Sequence, residues 1–330
     1  MTAAATPLRW TGVNRRIVQR NAWTLGVYVI LVALLIVYRI VNGRFDSFDA
    51  QTIVGTSVPL VLAAMGQAVI VLGGGIDLSI GSIMSLVNVL AATWMVHAGV
   101  PQAILLSLVL IALTALIGAA TGAVITWTRV PDIIVTLATS FVWAGVALQV
   151  MGTPGGGGAP ADFNNLVNGS VLGGTPEGLF VLIAALLVIW LPFRRSRLGL
   201  AVYALGSNRT AAFLSGISVG RARIIAYMVG GIFTGLAGLM LTALQSGTGD
   251  PLSGNPYTLN SVAAIVLGGV SLAGGRGGLF GPVAAALVLS VISSILAAMG
   301  VDPNWSLVIQ GAIVIGIVMV AGFLTLRRRT

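Results

Sequence analysis

The sequence predicts an all-α, polytopic membrane protein with about ten transmembrane helices. Of its 330 residues, 57% are hydrophobic and only 8% are charged, and the mean hydropathy is +1.03. This composition is typical of a chain that lies mostly in lipid and not of a soluble domain. Apolar runs of about 20 residues, the length that crosses a bilayer as a helix, recur along the chain.

Ten apolar segments follow a polar, basic N-terminal tail at residues 1–21. The predicted crossings are 22–38, 51–72, 79–97, 102–127, 133–151, 178–193, 223–244, 258–273, 279–299 and 305–326. The first is too long for the apolar part of a signal peptide, so we interpret it as a retained helix. A single transmembrane domain therefore covers residues 22–326, and a basic tail follows at residues 327–330.

The arginines orient these crossings. If both termini are cytoplasmic, every arginine except Arg39 and Arg44 falls in an inner loop or a tail. Such an excess of basic residues on one side is the usual mark of the cytoplasmic face. We therefore attribute the net charge of +9 to membrane topology, and we predict the lipid bilayer, and no nucleic acid, as a partner.

Several kinds of chemistry are excluded by residue types that the chain lacks. It contains no Lys, so it has no phosphate-binding loop of the GxxxxGK[ST] type. It contains no Cys and one histidine, His97, and it has no GxSxG or HExxH motif. We therefore predict no enzymatic activity, no metal site and no cofactor bound by this chain, and we expect the driving energy to come from a partner or a gradient.

A glycine-rich stretch joins the second and third predicted crossings. Gly73, Gly74 and Gly75 weaken helix continuation, and Asp77 follows where a helix restarts. The Asp77 carboxylate can cap the third helix by accepting from the N–H of Ser79 or of the next residue. The same stretch is also consistent with a broken helix at a gate in a transport path. We favour the cap.

Two loops are unusually long. The outer loop, residues 152–177, is rich in glycine, which predicts a flexible solvated connector or, alternatively, a contact with an external partner. The inner loop, about residues 193–222, holds a sequence that predicts a short helix with Asn208 as its N-cap, ending at Gly216. That helix is either an anchor on the membrane surface or a docking element for a cytoplasmic protein.

A five-residue sequence occurs twice. Residues 70–74 read IVLGG, and residues 265–269 read the same, each time before a polar, glycine-rich turn. Duplicated halves are common in transporters, and coincidence explains so short a match equally well.

Polar side chains within the crossings are candidates for lining a solute path. Gln67, Ser82, Asn88 and Gln149 carry amide or hydroxyl groups that can exchange hydrogen bonds with a polar solute. Hydrogen bonds between neighbouring helices explain them about as well.

Three motifs together resemble a known family. They are the pattern Gly206-x-Asn208-x-x-Ala211-Ala212-x-x-x-Gly216-Ile217 with Arg221 following, the stretch Gly74–Ser82, and the late glycine turn Leu267–Gly277. In this order and spacing they are similar to the ribose/xylose/galactose-type permease subunits of bacterial ABC (ATP-binding cassette) importers. The resemblance covers roughly residues 50–325.

The resemblance implies a permease fold in the bacterial cytoplasmic membrane and three protein partners. These are a second permease subunit, identical or related, an extracytoplasmic sugar-binding protein, and a cytoplasmic ATPase that carries ATP and Mg²⁺. The residues that it implies for coupling to the ATPase are Asn208, Arg209, Ala211, Ala212, Gly216 and Arg221. Alternatives are a branched-chain amino acid or nucleoside permease of the same architecture, or a gradient-driven secondary transporter.

Overall fold

The computed structural model describes residues 11–171 and 174–327, and within them the regular structure is almost entirely helical. The helices are α1 (Thr11–Val41), α2 (Ser47–Leu72), α3 (Ile80–Trp94), α4 (Val100–Thr128), α5 (Asp132–Val150), α6 (Ala161–Asn168), α7 (Glu177–Ala184), α8 (Leu191–Arg195), α9 (Arg197–Ser207), α10 (Arg209–Leu214), α11 (Val219–Leu244), α12 (Asn255–Leu267), α13 (Phe280–Ala298) and α14 (Pro303–Arg327). A π-helical turn, Ala185–Trp190, joins α7 to α8, and two short strands, β1 (Ser170–Val171) and β2 (Thr175–Pro176), pair antiparallel.

Seven segments of the described chain are long and apolar enough to cross a membrane. They are Trp23–Val41, Ser47–Leu72, Val100–Thr128, Asp132–Val150, Glu177–Arg195, Val219–Leu244 and Phe280–Ala298. The chain is therefore a multi-pass membrane protein. The first helix begins at Thr11, inside the predicted tail, while residues 1–10 and 328–330 of the two predicted tails lie outside the described residues.

Two helices are shorter than the crossings predicted for them. α3 has 15 residues where 79–97 was expected, and α12 has 13 where 258–273 was expected. At 1.5 Å per residue they are roughly 20 Å long, less than the ~30 Å of a bilayer core. Irregular, glycine-rich chain adjoins both helices, at residues 73–79 before α3 and at residues 268–279 after α12. The count of ten crossings and the orientation of the termini remain predictions.

The buried centre of the protein is formed by α2, α3 and α11. From Val58 to Leu72 every residue of α2 is buried, and α11 packs along it. On its opposite face α11 contacts α4, and small residues allow the close approach: a side chain at Gly118 or Gly231 would collide with the backbone of the other helix. Outward-facing residues of α4 and α5, such as Leu116 and Phe141, are exposed to lipid or to a neighbouring subunit.

The start of α2 has a cap that the sequence analysis did not identify. Asp46 Oδ1 accepts from the Asp49 N–H at 3.0 Å, and Asp49 Oδ2 accepts from the Asp46 N–H at the same distance. This reciprocal pair satisfies two of the N–H groups that a helix leaves free at its start. It fixes the helix start outside the apolar run, at Ser47.

The outer glycine-rich loop, residues 152–177, is more ordered than a flexible connector. Gly155 and Ala159 donate from their N–H groups to the carbonyls of Gly249 and Gly247, at 2.9 and 3.0 Å. Gly158 donates to the Ala92 carbonyl at the end of α3, also at 2.9 Å. Helix α6 and the small β-hairpin complete the loop. The glycines permit these backbone contacts, which composition alone does not reveal, and a contact of the loop with an external partner remains a prediction.

The repeated IVLGG sequence ends two helices in the same way. After α2, the Gly75 N–H donates to the Ile70 carbonyl and the Gly74 N–H to the Val71 carbonyl. After α12, Val270 and Gly269 donate to the equivalent carbonyls of Ile265 and Val266. The second glycine of each copy has φ near +80°, as this C-terminal motif requires. The repeated sequence therefore encodes the same helix ending twice.

Candidate functional site

The turn between α2 and α3, residues 73–79, is the first part of the candidate site. Asp77 is buried, and its Oδ1 accepts from the Ser79 N–H at 2.7 Å and from Ser79 Oγ at 2.5 Å. The bond to the Ser79 N–H is the one that the sequence predicts. However, the N-cap residue of α3 is Ser79, so Asp77 closes a turn two residues earlier and does not cap the helix. The capping prediction is corrected in this respect, since the helix starts later than expected.

Burial governs the charge state of Asp77. Removal from water raises the pKa of its carboxyl above the ordinary value, and the nearby negative charge of Asp132 raises it further. The two hydrogen bonds from Ser79 act in the opposite direction, because they favour the ionised form. The fold thus brings Asp132, which is distant in the sequence, close to Asp77.

Tyr227 of α11 and Asp132 of α5 pack against this turn. Tyr227 Oη lies 3.0 Å from Asp132 Oδ2 and 3.2 Å from the carbonyl oxygen of Ile76, the residue before Asp77. Gly75 makes this approach possible: a Cβ there would lie 2.7 Å from Asp132 Oδ2 and 2.8 Å from Tyr227 Oη. Arg223 Nη1 completes the cluster at 3.6 Å from Asp132 Oδ1.

The sequence analysis missed these three residues as a group. Arg223 was interpreted only as one of the arginines that report topology, and Asp132 was given no role. A signal was nevertheless present in Arg223 and Tyr227, which lie four residues apart and hence on one face of a mostly apolar helix. No local pattern connects them to Asp132, which is distant in the chain.

The inner loop forms the second part of the candidate site. As predicted, Asn208 is the N-cap of a short helix, α10, and its Oδ1 accepts from the Ala211 N–H at 3.0 Å. The helix ends at Leu214, and the turn that follows it contains Gly216, which has φ +80°, with the Ile217 N–H donating to the Ala212 carbonyl at 3.0 Å. Local sequence is sufficient here because each cap depends only on residues a few positions away.

The side chains of this loop divide between exposed and packed positions. Ala212 is 4% exposed and faces the protein. Arg209, Ala211, Gly216 and Arg221 are exposed. Next to α10 lies a cavity of about 660 Å³, lined by residues of α4, α10 and α11 that include Arg129, Arg209, Thr210, Phe213, Ile217 and Arg223.

Three glycine turns meet where α9 ends. The Gly275 N–H donates to the Leu72 carbonyl at 3.0 Å, which joins the late glycine turn to the end of α2. Gly206 lies between them, so close that a Cβ would overlap the Leu72 carbonyl oxygen. A Cβ on Gly274 would lie 3.0 Å from the Cα atoms of both Gly206 and Gly74. The three sequence motifs, which are far apart in the chain, therefore converge in space.

The four candidate path residues do not form one group. Gln149 is on an exposed face of α5, whereas Gln67, Ser82 and Asn88 are buried in the central helices. Ser82 Oγ donates to the Ser79 carbonyl at 2.8 Å. Gln67 is fully buried, and neither amide atom of its side chain has a hydrogen-bond partner among the described residues.

Asn88 joins α3 to the end of α11 and to the loop that follows. Its Nδ2 lies 3.1 Å from Thr242 Oγ1 and 3.0 Å from Gln245 Oε1, and its Oδ1 accepts from the Asp250 N–H at 2.6 Å. These bonds support the interpretation of Asn88 as a helix-to-helix contact. They hold the second half of α3 against α11 and the loop that follows it.

The described chain is thus a multi-pass helical membrane protein in which three distant glycine-containing segments meet. The chain belongs to the family described as "Branched-chain amino acid transport system / permease component", whose sequence model matches residues 50–318. Members of this family are transport components and not enzymes in themselves.

Curated relatives match nearly the whole chain. The D-allose transport system permease protein AlsC of Escherichia coli (strain K12) is 31% identical over 296 residues, covering 89% of this chain and 90% of the relative. The ribose import permease protein RbsC of the same strain is 32% identical over 304 residues, 88% and 92% of the two chains. The galactose/methyl galactoside import permease protein MglC of the same strain is 30% identical over 308 residues, covering 88% of this chain and 91% of the relative. No solved structure matches the chain.

Proposed function

We propose that this chain is the transmembrane subunit of an ATP-driven, binding-protein-dependent importer that carries a monosaccharide across the bacterial cytoplasmic membrane. The substrate class follows from the allose, ribose and galactose named in the relatives. A branched-chain amino acid substrate, named in the family description, and a nucleoside are the alternatives. The identity of the sugar depends on the cognate binding protein.

The observation that carries this proposal is the direct contact between the inner loop and the turns that end the buried helices. Gly206, at the end of α9, touches the Leu72 carbonyl and the late glycine turn, while α10 begins three residues later. A protein docked on α10 is thereby linked through packed backbone to the end of α2. Packed backbone transmits displacement because protein interiors are dense and weakly compressible.

The chain requires partners for this activity. We assign ATP and Mg²⁺ to a separate ATPase, because a chain without Lys has no phosphate-binding loop of the usual type. The ATPase docks on α10 through polar contacts from Arg209 and Arg221, while Asn208 starts this short helix and Ala211, Ala212 and Gly216 shape it. A sugar-binding protein meets the outer face, and a second permease subunit, identical or related, covers part of the exposed apolar surface. A gradient-driven transporter is less well supported, because Asp77 is paired with Ser79 in a turn and not exposed to a path.

We also propose ten crossings with both termini in the cytoplasm, with residues 22–326 as one transmembrane domain between the tails 1–21 and 327–330. The chain lacks Cys, so single cysteines can be introduced without removing native ones. Cysteines at Arg209 and Arg276 should react with a membrane-impermeant maleimide only in inside-out vesicles. One at Asp162 should react only in right-side-out vesicles, and the reverse pattern would contradict the orientation.

The transport proposal is tested by reconstituting the chain with its ATPase and binding protein in proteoliposomes. We expect uptake of a monosaccharide that requires internal ATP and persists when an uncoupler collapses the ion gradients. Uptake that survives ATP removal but is lost with the uncoupler would overturn the proposal. Uptake of leucine or a nucleoside in place of the sugar would leave the mechanism intact and correct the substrate.

A further inference from the structure

Arg223 connects two parts of the inner face. It lies on the second turn of α11, soon after the loop that ends α10, and its side chain lines the 660 Å³ cavity together with Arg209 and Phe213 of α10. Its Nη1 is also 3.6 Å from Asp132 Oδ1. The side chain therefore borders both the docking helix and a mostly buried acid at the start of α5.

Tyr227 continues this connection to the glycine–aspartate turn. Its hydroxyl is within hydrogen-bond distance of two acceptors, Asp132 Oδ2 at 3.0 Å and the Ile76 carbonyl at 3.2 Å. A tyrosine hydroxyl has a single proton, so these acceptors compete for it. A change at Asp132 therefore alters how firmly the Ile76 carbonyl, directly before Asp77, is held.

The cluster is shielded from water, which strengthens the coupling among its members. The side chains of Arg223 and Asp132 are 16% and 15% exposed, and Tyr227 is 1% exposed. In such surroundings charges interact over longer distances than at a wetted surface, and an acid that loses its partner is strongly disfavoured. A displacement of Arg223 therefore has to be compensated at Asp132.

We infer that Arg223, Asp132 and Tyr227 are positioning residues that link the docking of the ATPase on α10 to the position of the turn at residues 73–79. This inference rests on the proposed function, because it assigns a role within the same import cycle. When α10 moves, Arg223 shifts relative to Asp132. The hydroxyl proton of Tyr227 then redistributes between its two acceptors, Asp132 and the Ile76 carbonyl. The turn at the end of α2 is held when Tyr227 donates to the Ile76 carbonyl and released when it donates to Asp132. The cluster binds neither solute nor nucleotide.

The test uses the reconstituted complex and measures solute imported per ATP hydrolysed. Tyr227→Phe removes the hydroxyl and keeps the ring, so packing is retained. We expect this ratio to fall about fivefold or more, the equivalent of one ordinary hydrogen bond. Tyr28→Phe is the matched control, since the Tyr28 hydroxyl donates to the Phe280 carbonyl at 3.2 Å in a contact between α1 and α13. That variant should keep the wild-type ratio.

Asp132→Asn, Arg223→Gln and the double variant complete the design. Each single variant should lower the ratio, and the double variant should be no worse than the poorer single one, because the two side chains act through one contact. Co-purification of the ATPase is measured in parallel, so that only assembled complexes are compared. Wild-type ratios in assembled Tyr227→Phe, or additive losses in the double variant, would overturn the inference. Absence of ATP-driven uptake by the wild type would instead overturn the proposed function.

Discussion

Gly275 and Leu72, 203 positions apart by their numbering, are joined by a backbone hydrogen bond of 3.0 Å from the Gly275 N–H to the Leu72 carbonyl. Gly206 fits against the same carbonyl from the end of α9. The bond therefore lies at a point where the chain before α10, the end of α2 and the late glycine turn are all in contact. Backbone atoms of Leu72, Gly206 and Gly275 meet directly there, so backbone contacts set the spacing of the three segments.

Replacement of Gly206 by Ala should disrupt this junction. The new Cβ would overlap the Leu72 carbonyl oxygen and lie 2.6 Å from the Gly275 nitrogen, and backbone atoms cannot yield as a flexible side chain does. Overpacking of this kind costs about 1–3 kcal/mol of stability. We expect a lower melting temperature of the purified protein and reduced uptake. Gly145→Ala, on a face of α5 with nothing within 4 Å of the new Cβ, should leave both unchanged or slightly raise stability.

A comparison of two substitutions at Gly216 distinguishes the effect of backbone strain from the effect of lost contact with the ATPase. Its φ of +80° makes any side chain unfavourable by about 1–2 kcal/mol, and the space around a Cβ is open for at least 4 Å within this chain. Gly216→Ala and Gly216→Leu should therefore lose a similar amount of stability through backbone strain. If the ATPase packs against this end of α10, the Leu variant should co-purify with much less ATPase than the Ala variant. Equal retention of ATPase by both would argue against a docking role for Gly216.

The cap of α10 was predicted correctly, whereas the contacts between distant segments were not. The short helix α10 follows from Asn208 and Gly216 because caps act over three or four residues. The apolar segments follow from length and composition. By contrast, the Asp132–Tyr227 contact depends on how α5 and α11 pack, which no local pattern specifies. The position of Asp77 relative to the start of α3 was wrong by two residues, which is within the usual error of helix boundaries.

Asp77→Asn tests whether the charge of this residue matters. An amide oxygen can still accept from the Ser79 N–H and hydroxyl, so the turn should persist. Because burial raises the pKa of the Asp77 carboxyl in the folded protein, the proton is bound more tightly there than in the unfolded chain, and stability declines as pH rises from 3.8 through the raised value. The Asn variant should lack this decline and melt at or above the wild-type temperature at pH 7. Assembly and uptake should be retained; loss of uptake by an assembled variant would indicate a role for the charge.

Replacement of Gln67 by Leu should raise stability and, if Gln67 contacts the solute, slow its transport. Its side-chain amide is fully buried, and both polar atoms lack a hydrogen-bond partner among the described residues. A buried polar group without a partner costs about 1–3 kcal/mol, so Gln67→Leu, which is close in size and apolar, should raise the melting temperature.

If the amide instead meets a sugar hydroxyl during the transport cycle, the same variant should import more slowly at an unchanged level of assembly. Ser82→Ala is the comparison, because Ser82 already donates within its own helix start, to the Ser79 carbonyl, and its loss should have little effect on import. A Gln67→Leu protein that is more stable and imports at the wild-type rate would remove Gln67 from the path.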